Sequence, residues 1–315
     1  MTQGSVAKFF PGLYMGWGLG ANDSANVFGT AVSTRIISYR RAVILTAIFV
    51  ILGAWFQGPM VMGLFKKLSS LTSSDAIMAA LAAAISMHIM TYWAIPTSSS
   101  QAIVGSVIGI GVLRGTASFK PLIKVFGCWV VAPIGSALIA YVFLKAGSYL
   151  MKRYVKNIRL FDSIIKWFTI AAGCYGAYSL GANNVGNVTG VYFSSGMLTA
   201  QEAALLGGVG IALGALTYSY KVMLTVGTKI TTLEPFSAAV SIFSAAVTVH
   251  VFCYIGVPVS TSQAAVGAVA GIGLVKGGHA VSTKTLKNCV LGWLATPLSS
   301  AIMAVVLVYG MNFIK

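Results

Sequence analysis

Two polar motifs each occur twice in otherwise apolar sequence, and the side chains of the first could bind small cations. Residues 20–26 read GANDSAN, and residues 181–187 read GANNVGN. Both copies supply amide or carboxylate oxygens at positions i, i+1 and i+4, and hard monovalent cations take such oxygens as ligands. The candidate cation-binding residues are therefore Asn22, Asp23, Asn26, Asn183, Asn184 and Asn187.

The second motif follows a proline, Pro96 or Pro258, and could bind an anion. Residues 96–102 read PTSSSQA, and residues 258–264 read PVSTSQA. Proline ends one helix and suits the first turn of the next, where free N–H groups and the positive end of the helix dipole attract a tetrahedral oxyanion. Helix capping without any ligand is the structural alternative. The candidate anion-binding residues are Ser98, Ser99, Ser100, Gln101, Ser260, Thr261, Ser262 and Gln263.

Two histidines form a third matched pair. His88 and His250 each stand eight residues before the proline of the second motif. Because histidine titrates near neutral pH, the pair is a candidate site for a proton or for the substrate. A hydrogen bond from each ring to a neighbouring carbonyl is the structural alternative, and both interpretations stay open here.

The two motifs repeat at nearly one period, which indicates an internal duplication. The offset from Gly20 to Gly181 differs by a single position from the offset between Pro96 and Pro258. We therefore predict two homologous halves, residues 1–150 and 163–315, joined by a basic cytoplasmic linker at residues 151–162.

Composition places the chain in a membrane. It is 57% hydrophobic and 8% charged, with a mean hydropathy of +0.87, values that exceed those of water-soluble domains of this length. The net charge of +16 comes from basic residues at the ends of apolar segments, which fits anionic lipid and argues against a nucleic-acid partner. Four cysteines in apolar stretches, without CxxC spacing, are interpreted as packing residues.

Ten apolar segments are predicted, five in each half, and the fourth of each half is short enough to re-enter instead of crossing. Five crossings per half with an external N-terminus put ten basic residues in cytoplasmic loops and four outside, a clear positive-inside bias. An odd number of crossings also inserts the halves with opposite orientation. The segments are 8–31, 42–64, 76–94, 97–113, 121–150, 163–193, 202–224, 236–255, 258–275 and 286–313.

The expected fold is an all-α polytopic membrane protein with two inverted repeats of about five transmembrane segments and broken helices. Gly16, Gly18 and Gly20 favour a break at the first motif, whereas Gly105, Gly109 and Gly111 are interpreted equally well as helix-packing residues. Inverted repeats with polar, interrupted helices are typical of secondary transporters whose site lies near the bilayer midplane.

The four motif copies, taken together and in order, resemble the inorganic phosphate transporter (PiT) family over essentially the whole chain. The resemblance implies a multi-pass protein of the cell (inner) membrane that works as a homodimer. It implies symport of inorganic phosphate with sodium or protons and no further cofactor. It assigns cation and site-forming roles to the six Asn/Asp positions and phosphate binding to the Ser/Thr turns.

The chain departs from the family pattern in its polar residues. Gln101 and Gln263 stand where many members have histidine, and Asn184 stands where many have aspartate. Near the proposed turns the chain keeps hydrogen-bond donors but lacks acidic side chains. This favours sulfate on chemical grounds, because sulfate carries no proton at neutral pH and needs only donors. Phosphate nevertheless stays the first expectation, with sulfate as the alternative substrate.

Two other classes of protein are weaker interpretations. An anion channel could use the same helix ends, although a pore has no need of the Asn/Asp set. An intramembrane enzyme is disfavoured because no acid follows the histidines to orient them and no metal-ligand cluster is evident.

Overall fold

The computed structural model describes residues 7–92, 97–225, 233–277 and 283–314, and these residues form helices without any β-strand. In the first half a short 3-10 turn, Ala7–Phe9, precedes α1 (Phe10–Ser33), α2 (Tyr39–Gln57), α3 (Pro59–Leu68), α4 (Ser73–Tyr92), α5 (Ser99–Arg114) and α6 (Lys120–Tyr154). The second half contains α7 (Ile158–Ser194), α8 (Ala200–Tyr218), α9 (Tyr220–Thr225), α10 (Pro235–Ile255), α11 (Thr261–Val275) and α12 (Thr283–Ile314). The predicted all-α class is confirmed.

Among the described residues, six helices are long and apolar enough to cross a membrane. They are Tyr39–Gln57, Ser73–Met90, Lys120–Tyr154, Ala200–Tyr218, Pro235–Ile255 and Val290–Met311. The apolar helices α5 and α11 are shorter, with 16 and 15 residues. The count of ten crossings stays a prediction.

Helices α6 and α12 expose apolar side chains over much of their length. These side chains are each more than 60% exposed and recur at helical spacing, as expected for a face in contact with lipid. They are Ile123, Val130, Leu138, Leu291, Leu294 and Leu298.

The helices carrying the first motif are continuous, so the predicted break at Gly16, Gly18 and Gly20 is wrong. Helix α1 runs unbroken from Phe10 to Ser33. A Cβ atom on Gly20 would lie 1.9 Å from the carbonyl oxygen of Ile211 in α8, so this glycine permits close packing of two helices. The second apolar segment of each half is interrupted instead, at Gly58 between α2 and α3 and at Ser219 between α8 and α9.

The linker between the halves is shorter than the basic stretch at residues 151–162 suggested. Helix α6 ends at Tyr154 and α7 begins at Ile158, so only residues 155–157 lie outside a helix. Asn157 caps α7 by accepting a hydrogen bond from the backbone N–H of Arg159 at 2.9 Å. Most of the basic side chains in this stretch are therefore presented by helix ends.

Pro96, the proline before the first copy of the second motif, lies outside the described residues.

Each half completes the packing of the other. Helix α1 packs on α8 and α7 on α2, while α5 packs on α12 and α11 on α6. Helices α1 and α7 also contact each other in opposite chain directions: Gly12 meets Tyr192, Asp23 meets Asn184, and Phe28 meets Gly173. The two copies of the first motif thereby meet in the middle of the molecule.

Replacing Gly105 or Gly267 by alanine is expected to destabilise the protein by about 1–3 kcal/mol, the usual cost of overpacking. A Cβ atom would lie 2.2 Å from the Pro297 oxygen in the first case and 2.1 Å from the Pro133 oxygen in the second. Gly127→Ala in α6 is the matched control, because its Cβ would have no neighbour within 4 Å. Thermal unfolding in detergent measures the difference. If Gly105→Ala is as stable as the control, the close approach of α5 to α12 is wrong.

Candidate functional site

The centre of the site is the contact between the two motif helices. The Nδ2 atom of Asn184 in α7 donates a hydrogen bond to Oδ2 of Asp23 in α1 at 3.5 Å. Both side chains are buried, and they occupy corresponding positions of the two motif copies. The carboxylate at this contact is the one acid that the sequence places well inside an apolar segment.

The first turn of α11 reaches this carboxylate. Thr261 donates from Oγ1 to Oδ2 of Asp23 at 2.7 Å, a short bond of the kind that a charged acceptor makes. One helical turn further along α1, Asn26 donates from Nδ2 to Oγ of Ser262 at 3.4 Å. The structure thus joins the first copy of the cation motif to the second copy of the anion motif.

The first turn of α5 makes the corresponding contacts with α7. Nδ2 of Asn187 lies 3.3 Å from Oγ of Ser99 and 3.0 Å from Oγ of Ser100. The same nitrogen lies 3.1 Å from Oδ1 of Asn184. Because an amide nitrogen has two hydrogens, these three acceptors share them. Both helix N-terminal turns therefore converge on the Asp23–Asn184 contact.

Two of the predicted anion-binding hydroxyls cap these helices. Oγ of Ser98 accepts from the backbone N–H of Gln101 at 3.5 Å, and Oγ of Ser260 accepts from that of Gln263 at 3.3 Å. Capping starts α5 and α11 directly after these serines. An α-helix offers its first N–H groups no intrahelical acceptor, so donors remain available at each turn.

Two of the predicted cation-binding asparagines bond elsewhere. Asn183 makes a pair of 3.2 Å hydrogen bonds to the backbone N–H and C=O of Val259, which holds the extended segment before α11 in place. Asn22 donates to the carbonyl of Gly18 in its own helix at 3.1 Å. These residues flank the contact between Asp23 and Asn184, and Asn183 acts on the backbone of the turn.

Three side-chain amide oxygens near the motifs are buried without a hydrogen-bond partner in the described part of the chain. They are Oδ1 of Asn187, Oε1 of Gln101 and Oε1 of Gln263. A buried acceptor with no donor costs free energy, so such atoms indicate where a ligand would bind. A cation or an O–H group could satisfy them. Among the described residues, no group of three His, Cys, Asp or Glu side chains could hold a metal ion.

The two histidines bond to tyrosines of the motif helices instead of to the motifs. Nδ1 of His88 lies 2.9 Å from the hydroxyl of Tyr14, and Nδ1 of His250 lies 2.7 Å from that of Tyr175. His250 also bonds through Nε2 to Oε1 of Gln57 at 2.5 Å. Tyr14 and Tyr175 were not singled out from the sequence, although their separation along the chain equals that of Gly20 and Gly181.

Comparison with known proteins gives one consistent result. Residues 19–304 match the family described as the phosphate transporter family. The chain is 32% identical over 289 residues to a protein of Methanocaldococcus jannaschii named "Putative phosphate permease", covering 92% of each. It is 23% identical over 417 residues to "Inorganic phosphate transporter 2-1, chloroplastic" of Arabidopsis thaliana, covering 96% of this chain and 71% of the relative. A solved structure described as "The sodium-dependent phosphate transporter" superposes with a TM-score of 0.85 at 26% identity and covers 99% of both chains.

Proposed function

Because the chain belongs to the phosphate transporter family, we propose that it carries inorganic phosphate across a membrane by symport with a cation, either sodium or a proton. The family, together with the six long apolar helices found among the described residues, makes it a multi-pass membrane protein. The observation that carries the proposal is the convergence of two helix N-terminal turns on the Asp23–Asn184 contact: α11 reaches Asp23 through Thr261, and α5 reaches Asn184 through Asn187.

The anion would bind at the first turns of α5 and α11. Ser99, Ser100 and Ser262 offer hydroxyl donors there, beside N–H groups that the helices leave free. Thr261 would add its single hydroxyl hydrogen once a cation or proton at Asp23 takes the place of that hydrogen. Dipole ends from two helices would face a single oxyanion. Ser98 and Ser260 would contribute by fixing where each helix begins.

The position of Asp23 explains why a cation would have to accompany the anion. Thr261 touches the Asp23 carboxylate, so an oxyanion at this turn would lie a few ångströms from a negative charge. Two like charges about 4 Å apart repel by about 4 kcal/mol at an effective dielectric constant of about 20. A sodium ion or a proton at Asp23 would remove this repulsion. A sodium ion would take oxygens of Asn184 and Asn187 as further ligands. A channel would not require this joint binding of anion and cation, so the arrangement favours a symporter over an anion channel.

Phosphate fits the site better than sulfate. Phosphate keeps at least one proton at neutral pH, and the unpartnered oxygens of Gln101 and Gln263 could accept its O–H hydrogen bond. Sulfate has no such donor and would leave these oxygens unsatisfied. The relatives described above are also named for phosphate.

We further propose that the two halves are inverted repeats. Two observations support this arrangement. Helices α1 and α7 run in opposite directions, and corresponding helices of each half pack on the other half. The positive-inside bias then puts both termini outside and the α6–α7 junction in the cytoplasm. By analogy with the family, the setting is the cell (inner) membrane and the assembly a homodimer.

Uptake of radiolabelled phosphate into proteoliposomes tests the function. We expect accumulation under an imposed sodium or proton gradient, loss of accumulation when that gradient is collapsed, and strong inhibition by excess unlabelled phosphate but weak inhibition by excess sulfate. Inhibition by sulfate and not by phosphate would make sulfate the substrate. Rapid electrogenic flux independent of either gradient would make the protein a channel.

A further inference from the structure

A small cavity adjoins the Asp23–Asn184 contact on the side of α10. Its volume is about 20 Å³, and it lies between α1, α7, α10 and α11. Asn26 and Thr261 give it a polar wall, while Ala245 and neighbouring residues of α10 give it an apolar wall. Along both α1 and α7 the cavity lies toward the α6–α7 junction, because Asn26 follows Asp23 and the lining residues of α7 precede Asn184.

A glycine keeps this cavity open. Gly176 of α7 forms part of its wall without a side chain. A Cβ atom there would reach Val27 at 3.4 Å and Ile242 at 3.7 Å, which are ordinary van der Waals distances. A methyl group would therefore fit, and a longer side chain would extend into the cavity.

The corresponding position of the first half carries a large side chain. Met15 is the counterpart of Gly176 in the repeat and is 2% exposed, and Ala80 and Ala83 of α4 are fully buried. These residues of α4 correspond to the α10 residues that line the cavity. On the far side of the site, a buried thioether side chain thus stands at the position that corresponds to Gly176.

Aromatic side chains strengthen the same asymmetry. On the side of Met15, the buried Tyr192 accepts a 3.0 Å hydrogen bond from the backbone N–H of Gly12 through its hydroxyl oxygen. On the cavity side, the ring of Phe28 packs on Gly173. The contact between α1 and α7 therefore includes a hydrogen bond on the side of Met15, whereas the Phe28–Gly173 contact on the cavity side is apolar.

We propose that Gly176 and Met15 form an access pair that decides from which side the site is reached, with the route in this conformation lying toward the α6–α7 junction. This inference rests on the proposed function, because the species that pass along the route would be the substrate and its coupling ion. The geometry of the cavity itself is independent of the substrate.

Thiol labelling of a matched pair of alanines tests this. Ala245 lines the cavity, and Ala83 is its counterpart in the first half. Ala245→Cys and Ala83→Cys are made separately in protein whose Cys128, Cys174, Cys253 and Cys289 have been replaced by serine. The probe is the membrane-impermeant methanethiosulfonate reagent MTSET, applied to either face of proteoliposomes. Lys156→Cys marks the face of the α6–α7 junction.

We expect the Ala245→Cys variant to react at least about tenfold faster than the Ala83→Cys variant, and from the face where Lys156→Cys reacts. Adding Gly176→Met should slow the first reaction, whereas adding Met15→Ala should speed the second. Gly176→Ala, whose methyl group fits, is the folding control and should change little. Equal rates for the two cysteines, or no effect of Gly176→Met in a protein that still folds, would overturn the proposal.

The experiments can reject the access pair and the proposed function independently of each other. Sided labelling that follows Gly176 and Met15, in a protein that accumulates no phosphate, would uphold the access pair and reject the transported ion. Phosphate uptake with labelling indifferent to both residues would do the reverse.

Discussion

Replacing Asp23 by asparagine is expected to reduce gradient-driven phosphate uptake by about ten- to a hundredfold. The carboxylate accepts hydrogen bonds from Thr261 and Asn184 and carries the charge that a coupling cation would neutralise. A hydrogen bond to a charged group contributes about 1.5–3 kcal/mol, which corresponds to this range of affinity. Asparagine keeps the size of the side chain but replaces one acceptor oxygen with a donor.

The measurement is uptake as a function of the imposed sodium or proton gradient. Asp162→Asn is the matched control, since it removes the same charge from an exposed position near the start of α7. Phosphate binding without a gradient should fall less than coupled uptake. An Asp23→Asn protein whose uptake depends on the gradient as steeply as the parent's would rule out this carboxylate as the coupling group.

Ser99→Ala and Thr261→Ala should each weaken phosphate binding by about ten- to a hundredfold, because each removes a hydrogen-bond donor to a charged ligand. The single hydroxyl hydrogen of Thr261 is given to Asp23 at 2.7 Å, so it becomes available to phosphate when a cation or proton occupies Asp23. Titration of purified protein with phosphate at a fixed sodium concentration measures the dissociation constants.

Ser106→Ala serves as the control for this pair. Ser106 is a buried serine of the same helix as Ser99, and its hydroxyl bonds to the carbonyl of Ile103 at 2.9 Å. It should bind phosphate as the parent does. Unchanged binding in both the Ser99→Ala and Thr261→Ala variants would refute the helix-end model of the anion site.

The starts of α5 and α11, where we propose that the anion binds, could be predicted from sequence because they depend on local signals. Pro258 and the serines after it indicate where a helix starts, and α11 begins at Thr261, directly after its capping serine. Helix α5 begins correspondingly at Ser99. Short-range chemistry of this kind needs no knowledge of distant residues.

The continuity of α1 could not be predicted in the same way. Glycine weakens an isolated helix, so Gly16, Gly18 and Gly20 suggested a break. The backbone of Ile211 in α8 lies against Gly20, and that partner belongs to the other half of the chain. Whether a glycine breaks a helix or admits a neighbour depends on tertiary packing.

The sequence also could not show which hydrogen-bond partners each motif asparagine has. Asn22 and Asn183 occupy equivalent positions, yet only Asn183 bonds to the segment that precedes an anion turn. The cavity beside Gly176 arose likewise from contacts among four helices. Equivalent residues of a duplicated chain can therefore differ in their contacts.

The packing of first-half helices on second-half helices has a consequence for biosynthesis. Helix α1 meets α8, and α5 meets α12, so the glycine-lined faces of the first half have no partner until the second half has been made. At about 5–20 residues per second, Gly20 waits roughly 10–40 seconds for Ile211 to be synthesised. During that interval the nascent chain holds inserted helices whose final neighbours do not yet exist. Folding of this protein is thus completed only after translation is nearly over, and two separately produced halves contain between them every surface needed to assemble.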